Sequence, residues 1–224
     1  MKKQRLLDKF ITPKKMRSIL KKLNYNKYYE HVQHIINKVS GIPPPKMTRE
    51  VEEKFRQICN WALRHPVDDN NVRINNEQEK LWGNTMINQI NNGQWTTKLG
   101  EQFVCDIYNK KGENPRRPQQ RGNGHYRPDF ETDTHIIEVK TRNWTTPGTA
   151  GEKVYGTPLK YAEIPDLYNK PLLIVCVAYQ EHEFTHGNTP IFGDLVRPKT
   201  REFLDFYRSN NITFVRCSDL INSL

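Results

Sequence analysis

The chain of 224 residues is long enough for one globular domain with a smaller accessory one, and its 35% hydrophobic and 27% charged residues are typical of such domains. It contains no apolar run of the ~18 or more residues that a membrane span requires, and its basic N-terminus lacks the apolar core of a secretory signal. We therefore expect an intracellular, cytoplasmic protein with no membrane partner.

Cysteine spacing and loop motifs argue against several classes of chemistry. Cys59, Cys105, Cys176 and Cys217 form no C-x-x-C pair and have no zinc-ligand spacing to histidine, so we predict that they are reduced core residues. The sequence also lacks the G-x-x-x-x-G-K-[ST] loop of nucleotide-binding proteins and the G-x-S-x-G turn of serine hydrolases.

The positive charge is concentrated at one end of the chain. The net charge is +10; residues 1–49 hold 13 Lys and Arg against two acids, whereas residues 50–224 hold 22 against 23. This asymmetry favours a polyanionic partner, most simply nucleic acid. A basic surface that only keeps the protein in solution explains the same counts, so the charge alone leaves both interpretations open.

The first third of the sequence predicts helices. Apolar residues recur at helical spacing over 12–23, 28–39 and 48–63, and a run of three prolines separates the second segment from the third. Residues 67–78 are rich in Asp and Asn and predict a linker, and a fourth helix follows at 79–90.

From Trp95 onward, helix-like and strand-like patterns alternate. We predict a helix at 99–107, strands at 127–131 and 135–140, a helix at 158–168, a strand at 172–178, a helix at 200–209 and a strand at 212–216. This order predicts an α/β fold in which the apolar run 172–178 is a central strand covered on both faces.

These patterns divide the chain into three parts. We predict a basic, all-helical N-terminal module at 1–66, a linker with a connecting helix at 67–93, and an α/β domain at 94–224. The candidate chemistry lies in the third part.

One predicted hairpin carries the most informative pattern. If its two strands turn about Asp133-Thr134, then Asp129 lies directly opposite Glu138. Because side chains alternate between the faces of a strand, Lys140 shares the face of Glu138. Two carboxylates and one ammonium are therefore expected to lie together.

Facing carboxylates repel and destabilise a hairpin by up to about 1 kcal/mol, so this arrangement favours a compensating cation. Mg²⁺ takes one or two carboxylates together with phosphate and water oxygens. An adjacent lysine can stabilise charge on a scissile phosphate or help to form hydroxide from metal-bound water. The alternative is a solvated hairpin face on which Glu138 and Lys140 are ordinary surface charges.

Pro128-Asp129 and Glu138-Val139-Lys140 resemble the motif of the PD-(D/E)xK nuclease superfamily, the restriction-endonuclease-like fold. The resemblance implies a mixed central sheet flanked by helices. It also implies that Asp129 and Glu138 bind Mg²⁺, with the Val139 carbonyl as a possible further ligand, and that Lys140 assists the attacking water.

Two further stretches resemble parts of this superfamily. Its members often carry a glutamate on the helix before the sheet, near the metal, and Leu99-Gly100-Glu101-Gln102-Phe103 matches that pattern. Glu101 is therefore a fourth candidate catalytic residue, with a solvated helix face as the alternative. Residues 148–161 are similar to the stretch that follows the catalytic strand in some type II restriction enzymes.

Seven residues are candidate DNA contacts. The loop at 110–127 is rich in Lys, Arg and Gly and leads into the hairpin, which suits contact with a DNA backbone or groove. Lys153 and Lys160, in the segment 148–161, are expected to contact DNA phosphates. The predicted DNA-binding residues are Arg116, Arg117, Arg121, His125, Arg127, Lys153 and Lys160. A solvated loop with surface lysines is the alternative.

The N-terminal part has a resemblance of its own. Residues 23–32 (LNYNKYYEHV) and 35–45 (IINKVSGIPPP) are similar to a helical segment of late transcription factors from poxviruses and other large DNA viruses, over about Leu20–Phe55. The resemblance implies a large DNA virus as the source, hence a host-cell cytoplasmic location, and a module that docks on nucleic acid or protein.

The leading prediction is a Mg²⁺-dependent, type II restriction-like endonuclease that hydrolyses double-stranded DNA. A homodimer is expected, because one chain carries one motif and a double-strand break needs two sites. One alternative is a Holliday-junction, repair or mobile-element nuclease of the same fold. Another is a catalytically inactive DNA-binding protein, against which the intact Asp129, Glu138 and Lys140 argue.

Overall fold

The computed structural model describes residues 49–90, 92–122, 126–146 and 151–224. Within these ranges the chain forms nine helices and four strands, which confirms the predicted α/β class. The helices are α1 (Arg49–Leu63), α2 (Asn76–Met86), α3 (Trp95–Lys110), α4 (Glu152–Tyr155), α5 (Thr157–Lys160), α6 (Ile164–Tyr168), α7 (Tyr179–His186), α8 (Pro198–Ser209) and α9 (Cys217–Asn222). The strands are β1 (Phe130–Glu131), β2 (Ile136–Arg142), β3 (Leu172–Ala178) and β4 (Ile212–Arg216).

The four strands form one mixed sheet in the order β1-β2-β3-β4. β1 is antiparallel to β2, whereas β2, β3 and β4 run parallel to one another. β3 is buried along nearly its whole length, as predicted for an apolar strand covered on both faces. Because β2 and β3 are parallel, their C-terminal ends lie at the same edge of the sheet.

Helices cover both faces of the sheet. Ile137 and Val139 of β2 lie in an apolar cluster with residues of α1, α3 and α9. Ile136 lies in a second cluster, with residues of α6, and a third cluster on that side joins Cys176 of β3 to α7 and α8. The side chains of β2 therefore alternate between faces as predicted.

The helix α3 crosses β2 at very short distance. A Cβ atom on Gly100 would lie 1.7 Å from Oγ1 of Thr141 in β2, so only glycine fits at this crossing without a shift of that strand or its side chain. Leu99 and Phe103, on either side, are almost completely buried. This close approach holds α3, and with it Glu101, against the hairpin.

The helices α1 and α2 also pack into this core. Trp61 of α1 is 2% exposed and lies in the same apolar cluster as α3. Glu79 of α2 is fully buried, and its carboxylate accepts hydrogen bonds from Trp61 Nε1 (2.7 Å) and Asn143 Nδ2 (3.2 Å). It also accepts from the backbone N–H groups of Trp144 and Thr145 (3.0 Å each) and from Thr145 Oγ1 (2.6 Å).

The predicted domain boundaries at 66/67 and 93/94 stay predictions. The packing nevertheless joins α1 and α2 to the sheet, because both contribute buried side chains to its core. The helices predicted at 12–23 and 28–39 lie outside the described residues.

Most predicted elements between residues 48 and 216 are present, and two strands have the predicted bounds. The segment predicted to be helical at 158–168 forms two short helices, α5 and α6, each with a proline in its first turn. Proline fits the first turn but breaks a helix interior, so Pro165 starts a new helix. α4, α7 and α9 were not predicted.

The four cysteines are free, in agreement with prediction, and Cys176 and Cys217 are buried. Among the helices that the structure describes, none is long and apolar enough to cross a membrane.

Candidate active site

The hairpin of β1 and β2 has the register that a turn about residues 133–134 requires. Phe130 pairs with Ile137. The backbone N–H of Asp129 donates to the carbonyl oxygen of Ile137 over 3.1 Å, which extends the ladder by one residue before β1 begins. Asp129 consequently lies against the segment of β2 that carries Glu138, and its predicted place directly opposite Glu138 stays a prediction.

A backbone hydrogen bond fixes the Asp129 carboxylate. Its Oδ2 atom accepts from the N–H group of Val139 over 2.6 Å. The N–H and C=O groups of one strand residue point to the same side of the strand, so the Val139 carbonyl also faces Asp129. β1 begins only at Phe130, and this carbonyl therefore lies beyond the paired part of the hairpin, where an ion could reach it.

Glu138 is buried in a way that leaves half of its carboxylate unsatisfied. The side chain is 5% exposed, and Oε1 accepts a hydrogen bond from Lys140 Nζ. Oε2 has no hydrogen-bond partner of normal geometry among the residues that the structure describes, and the Tyr161 hydroxyl is a group that interacts with this carboxylate. A buried acceptor without a partner costs about 1–3 kcal/mol, and more when it is charged, so it indicates a ligand.

The three carboxyl groups of the site perturb one another. Burial, and next the charge of Glu138, raise the pKa of Asp129 to about 7, although the Val139 N–H lowers it. Burial and the charge of Glu138 likewise raise the pKa of Glu101, which Lys140 and a hydrogen bond to Asp129 lower. The structure thus brings all four predicted catalytic residues together, and their carboxyl groups repel.

Tyr161 is a site residue that the sequence reasoning missed. It lies between α5 and α6, on the face of the sheet that carries Glu138, and burial raises the pKa of its hydroxyl, as do Glu138 and Asp129. The hydroxyl group therefore stays protonated and lies beside the Glu138 carboxylate. Its position depends on a contact across more than 20 residues of chain, for which the local pattern gives no signal.

The residues present fit a Mg²⁺ ion. The raised pKa of Asp129 and the unpartnered Glu138 Oε2 both indicate excess negative charge, which a divalent cation would neutralise. Within the described part of the chain, no three His, Cys, Asp or Glu side chains converge as a complete metal site does. Mg²⁺ needs only one or two carboxylates, and water and phosphate oxygens complete its ligands. Asp129 and Glu138 supply the two carboxylates.

The predicted DNA contacts fall into two groups. Arg116 pairs with Glu131 (2.8 Å) and Asp133 (2.7 Å), so it ties the basic loop to the hairpin. Arg121 donates to the Leu167 carbonyl oxygen (3.0 Å) and lies over the ring of Tyr168, so it ties the loop to α6.

The other predicted contacts are exposed. Arg117, Arg127 and Lys153 are exposed, and so is Lys160, whose Nζ lies 4.7 Å from the ring centre of Tyr161. Lys160 is therefore next to a residue that borders the carboxylates. His125 lies outside the described residues.

Comparisons with known proteins bear on the N-terminal part of the chain. Residues 1–90 match a family described as Poxvirus Late Transcription Factor VLTF3 like. The chain is 44% identical over 48 residues to the candidate transcription factor A494R of Paramecium bursaria Chlorella virus 1, and 48% identical over 44 residues to the candidate transcription factor R429 of Acanthamoeba polyphaga mimivirus. No solved structure matches the chain.

The matched segments are short. They cover 21% and 20% of this chain, and only 13% and 10% of the two viral proteins. They confirm the resemblance of the N-terminal part to transcription factors of DNA viruses. The family match ends at residue 90, so it includes α1 and α2 but none of Glu101, Asp129, Glu138 and Lys140. The comparisons give no support for a nuclease.

Proposed function

We propose that this protein is a Mg²⁺-dependent endonuclease that hydrolyses phosphodiester bonds of double-stranded DNA. The observation that carries the proposal is the unpartnered Oε2 atom of buried Glu138, beside the Asp129 carboxyl with its raised pKa. Burial of this much unsatisfied carboxylate is costly for a structural hairpin, whereas a metal-dependent nuclease needs it.

Each residue of the site has a defined role in this proposal. Asp129 and Glu138, with the Val139 carbonyl, would hold Mg²⁺, and the ion would supply charge neutralisation at the phosphate and a water of lowered pKa. Lys140 Nζ donates hydrogen bonds that orient the attacking water and stabilise the charge that develops on the phosphate. The protonated hydroxyl of Tyr161 lies beside Glu138 and restricts its rotation.

DNA is the proposed substrate because of the charge distribution and the N-terminal match. Residues 1–49 carry 13 Lys and Arg against two acids, and the matched family consists of transcription factors by its description. Sequence-specific, restriction-like cleavage by a homodimer is the form that the motif resemblance suggests, since two sites are needed to cut two strands. A nuclease acting on four-way junctions, in repair or in a mobile element, uses the same residues.

A second candidate function is DNA binding without cleavage, in transcription. The match of residues 1–90 to the viral late transcription factor family favours it. In that case Glu138, Asp129 and Lys140 would form a charge cluster without a reaction, and their substitution would leave the protein's activity unchanged.

A cleavage assay with matched variants tests the proposal. Wild-type protein and Asp129→Ala are incubated with unmodified genomic and plasmid DNA, in Mg²⁺ or in EDTA. The control variant is Asp133→Ala, which removes an exposed carboxylate from the turn of the same hairpin. We expect Mg²⁺-dependent cleavage by wild type and Asp133→Ala, and none by Asp129→Ala.

The cleavage pattern distinguishes the candidates. Discrete bands indicate a sequence-specific enzyme, and a smear a non-specific one. If linear DNA stays intact, four-way junctions are the next substrate, and cleavage of these alone identifies a junction-resolving enzyme. Failure to cleave any of them, with DNA binding retained, would overturn the nuclease proposal in favour of binding alone.

A further inference from the structure

Gln180, near the start of α7, is buried without a hydrogen-bond partner for its amide nitrogen. The residue is 2% exposed, and its Nε2 atom has no partner within the part of the chain that the structure describes. An amide donor left unpaired in an apolar interior costs about 1–3 kcal/mol, whereas leucine would occupy the same space without that cost. A glutamine at this position is therefore unexplained by folding alone.

The packing of α7 puts Gln180 on the catalytic face of the sheet. Gln180 and Phe184 are four residues apart, so they share one face of the helix. Phe184 packs in a cluster with Cys176 of β3, and Cys176 pairs in register with Lys140 of β2. Paired residues of neighbouring strands point to the same face, and that face carries Glu138 as well.

The backbone just before Gln180 is strained in a way that sets this position. Ala178, the last residue of β3, has φ of 57° and ψ of −128°, a conformation that favours glycine. It costs on the order of 1–3 kcal/mol for another residue. The strained turn starts α7 immediately after the strand, so that Gln180 lies over the C-terminal end of β3. Ala178, two residues before Gln180, pairs with Arg142 of β2.

We propose that the Gln180 amide group binds a non-bridging phosphate oxygen of the DNA strand at the active site. The inference rests on the proposed function and names a substrate-binding residue for it. An amide N–H donates to a phosphate oxygen without adding charge, and it leaves Lys140 available for the attacking water. An amide N–H group without an acceptor is expected where the acceptor is supplied only by bound substrate.

The test uses Gln180→Leu in the full-length protein, with Asn84→Leu as the matched control. Asn84 is also a buried amide, but it is partnered, donating to the Lys80 carbonyl (2.9 Å) and accepting from the Asn92 N–H (2.7 Å). We expect Gln180→Leu to unfold at the same or a higher temperature than wild type and to slow single-turnover cleavage about 10- to 100-fold. Asn84→Leu should unfold at a lower temperature and cleave at the wild-type rate.

A sulphur substitution in the DNA gives a readout that a structural role would not change. Replacing the contacted phosphate oxygen by sulphur should slow wild-type protein and leave the residual rate of Gln180→Leu unaffected. A Gln180→Leu variant that is destabilised like Asn84→Leu, or that cleaves like wild type, would overturn the inference.

The same variants separate failure of this inference from failure of the proposed function. If wild type does not cleave, affinity for duplex DNA in EDTA decides the matter. Several-fold weaker binding by Gln180→Leu, with folding intact, would support the phosphate contact and reject only the nuclease. Unchanged binding, or no binding by wild type, would reject the contact as well.

Discussion

At the scale of single residues, the Lys140 ammonium contacts the Glu138 carboxylate, and its charge also lowers the pKa values of Asp129 and Glu101. Burial, and next the charge of Glu138, raise the pKa values of Asp129 and Glu101. These interactions lead to two predictions about the stability of the folded protein.

The first prediction concerns pH. The pKa of Asp129 is raised from 3.8 to about 7, so the folded protein holds this proton more tightly than the unfolded chain does. The resulting stabilisation is complete below the unfolded pKa and is lost as pH rises through about 7. Metal-free Asp129→Asn should lack this dependence and should be more stable than wild type above about pH 8, by on the order of 1 kcal/mol or more.

Thermal unfolding in EDTA from about pH 5 to about pH 9 measures this difference. Parallel stability profiles for wild type and Asp129→Asn would contradict the raised pKa of Asp129. Added Mg²⁺ should stabilise wild type most at the alkaline end, where Asp129 is ionised.

The second prediction separates folding from chemistry at Glu138. Lys140→Met should destabilise the protein by about 1–3 kcal/mol, because it leaves the buried Glu138 carboxylate without the ammonium that contacts it. Adding Glu138→Gln to Lys140→Met should recover much of that loss. Urea unfolding of the single and double variants completes the cycle, and all of them should lack cleavage.

If the double variant were no more stable than Lys140→Met, the Glu138 carboxylate would be satisfied by other groups. Its role as a site held ready for a cation would then be wrong.

At the scale of secondary-structure elements, Glu79 of α2 holds the loop that follows β2. Its buried carboxylate accepts five hydrogen bonds, from Trp61, Asn143, Trp144 and Thr145. Glu79→Gln would turn an amide N–H toward these donors. We expect a loss of about 2–4 kcal/mol of stability and slower cleavage, because the end of β2 is no longer fixed.

Glu77→Gln is the matched control, since Glu77 is an exposed residue of the same helix. Thermal unfolding and the cleavage rate should both stay at wild-type values in this control. A Glu79→Gln variant as stable as Glu77→Gln would show that the buried carboxylate does not fix the loop.

The sequence predicts elements whose signal is local. The apolar strand at 172–178 and the pairing of Phe130 with Ile137 and of Glu131 with Ile136 follow from periodicity and turn position alone, and both are present. Glu79 lies in a polar stretch and gives no sign of burial, because its donors lie more than 60 residues away in the chain apart from Trp61. α7 was missed because the turn before it depends on a positive φ at Ala178, which the residue type does not predict.

At the scale of the whole molecule, the net positive charge lies in residues 1–49, whereas the candidate site lies at residues 101–140. Removing residues 1–48 should weaken binding to duplex DNA and flatten its salt dependence, because each phosphate contact contributes about 0.9 to the logarithmic slope. Anisotropy titrations over a range of salt concentrations measure that slope.

The full-length variant with Lys14, Lys15, Lys21 and Lys22 changed to Gln is the companion to this deletion. It keeps the chain length and removes four of the 12 Lys and Arg residues in that segment. An unchanged slope in both variants would mean that the basic segment binds something other than DNA.

The hydrogen bonds of Glu79 also limit how this chain could be assembled by recombination. They join residues inside the viral family match, which ends at residue 90, to the loop at 143–146 beyond it. A crossover between residues 80 and 93 would separate the buried Glu79 carboxylate from its donors at 143–145 in one product and would leave the other product with an open apolar face. We therefore expect that recombination can exchange only the segment N-terminal to Arg49 as a unit, and that α1 and α2 are inherited together with the sheet.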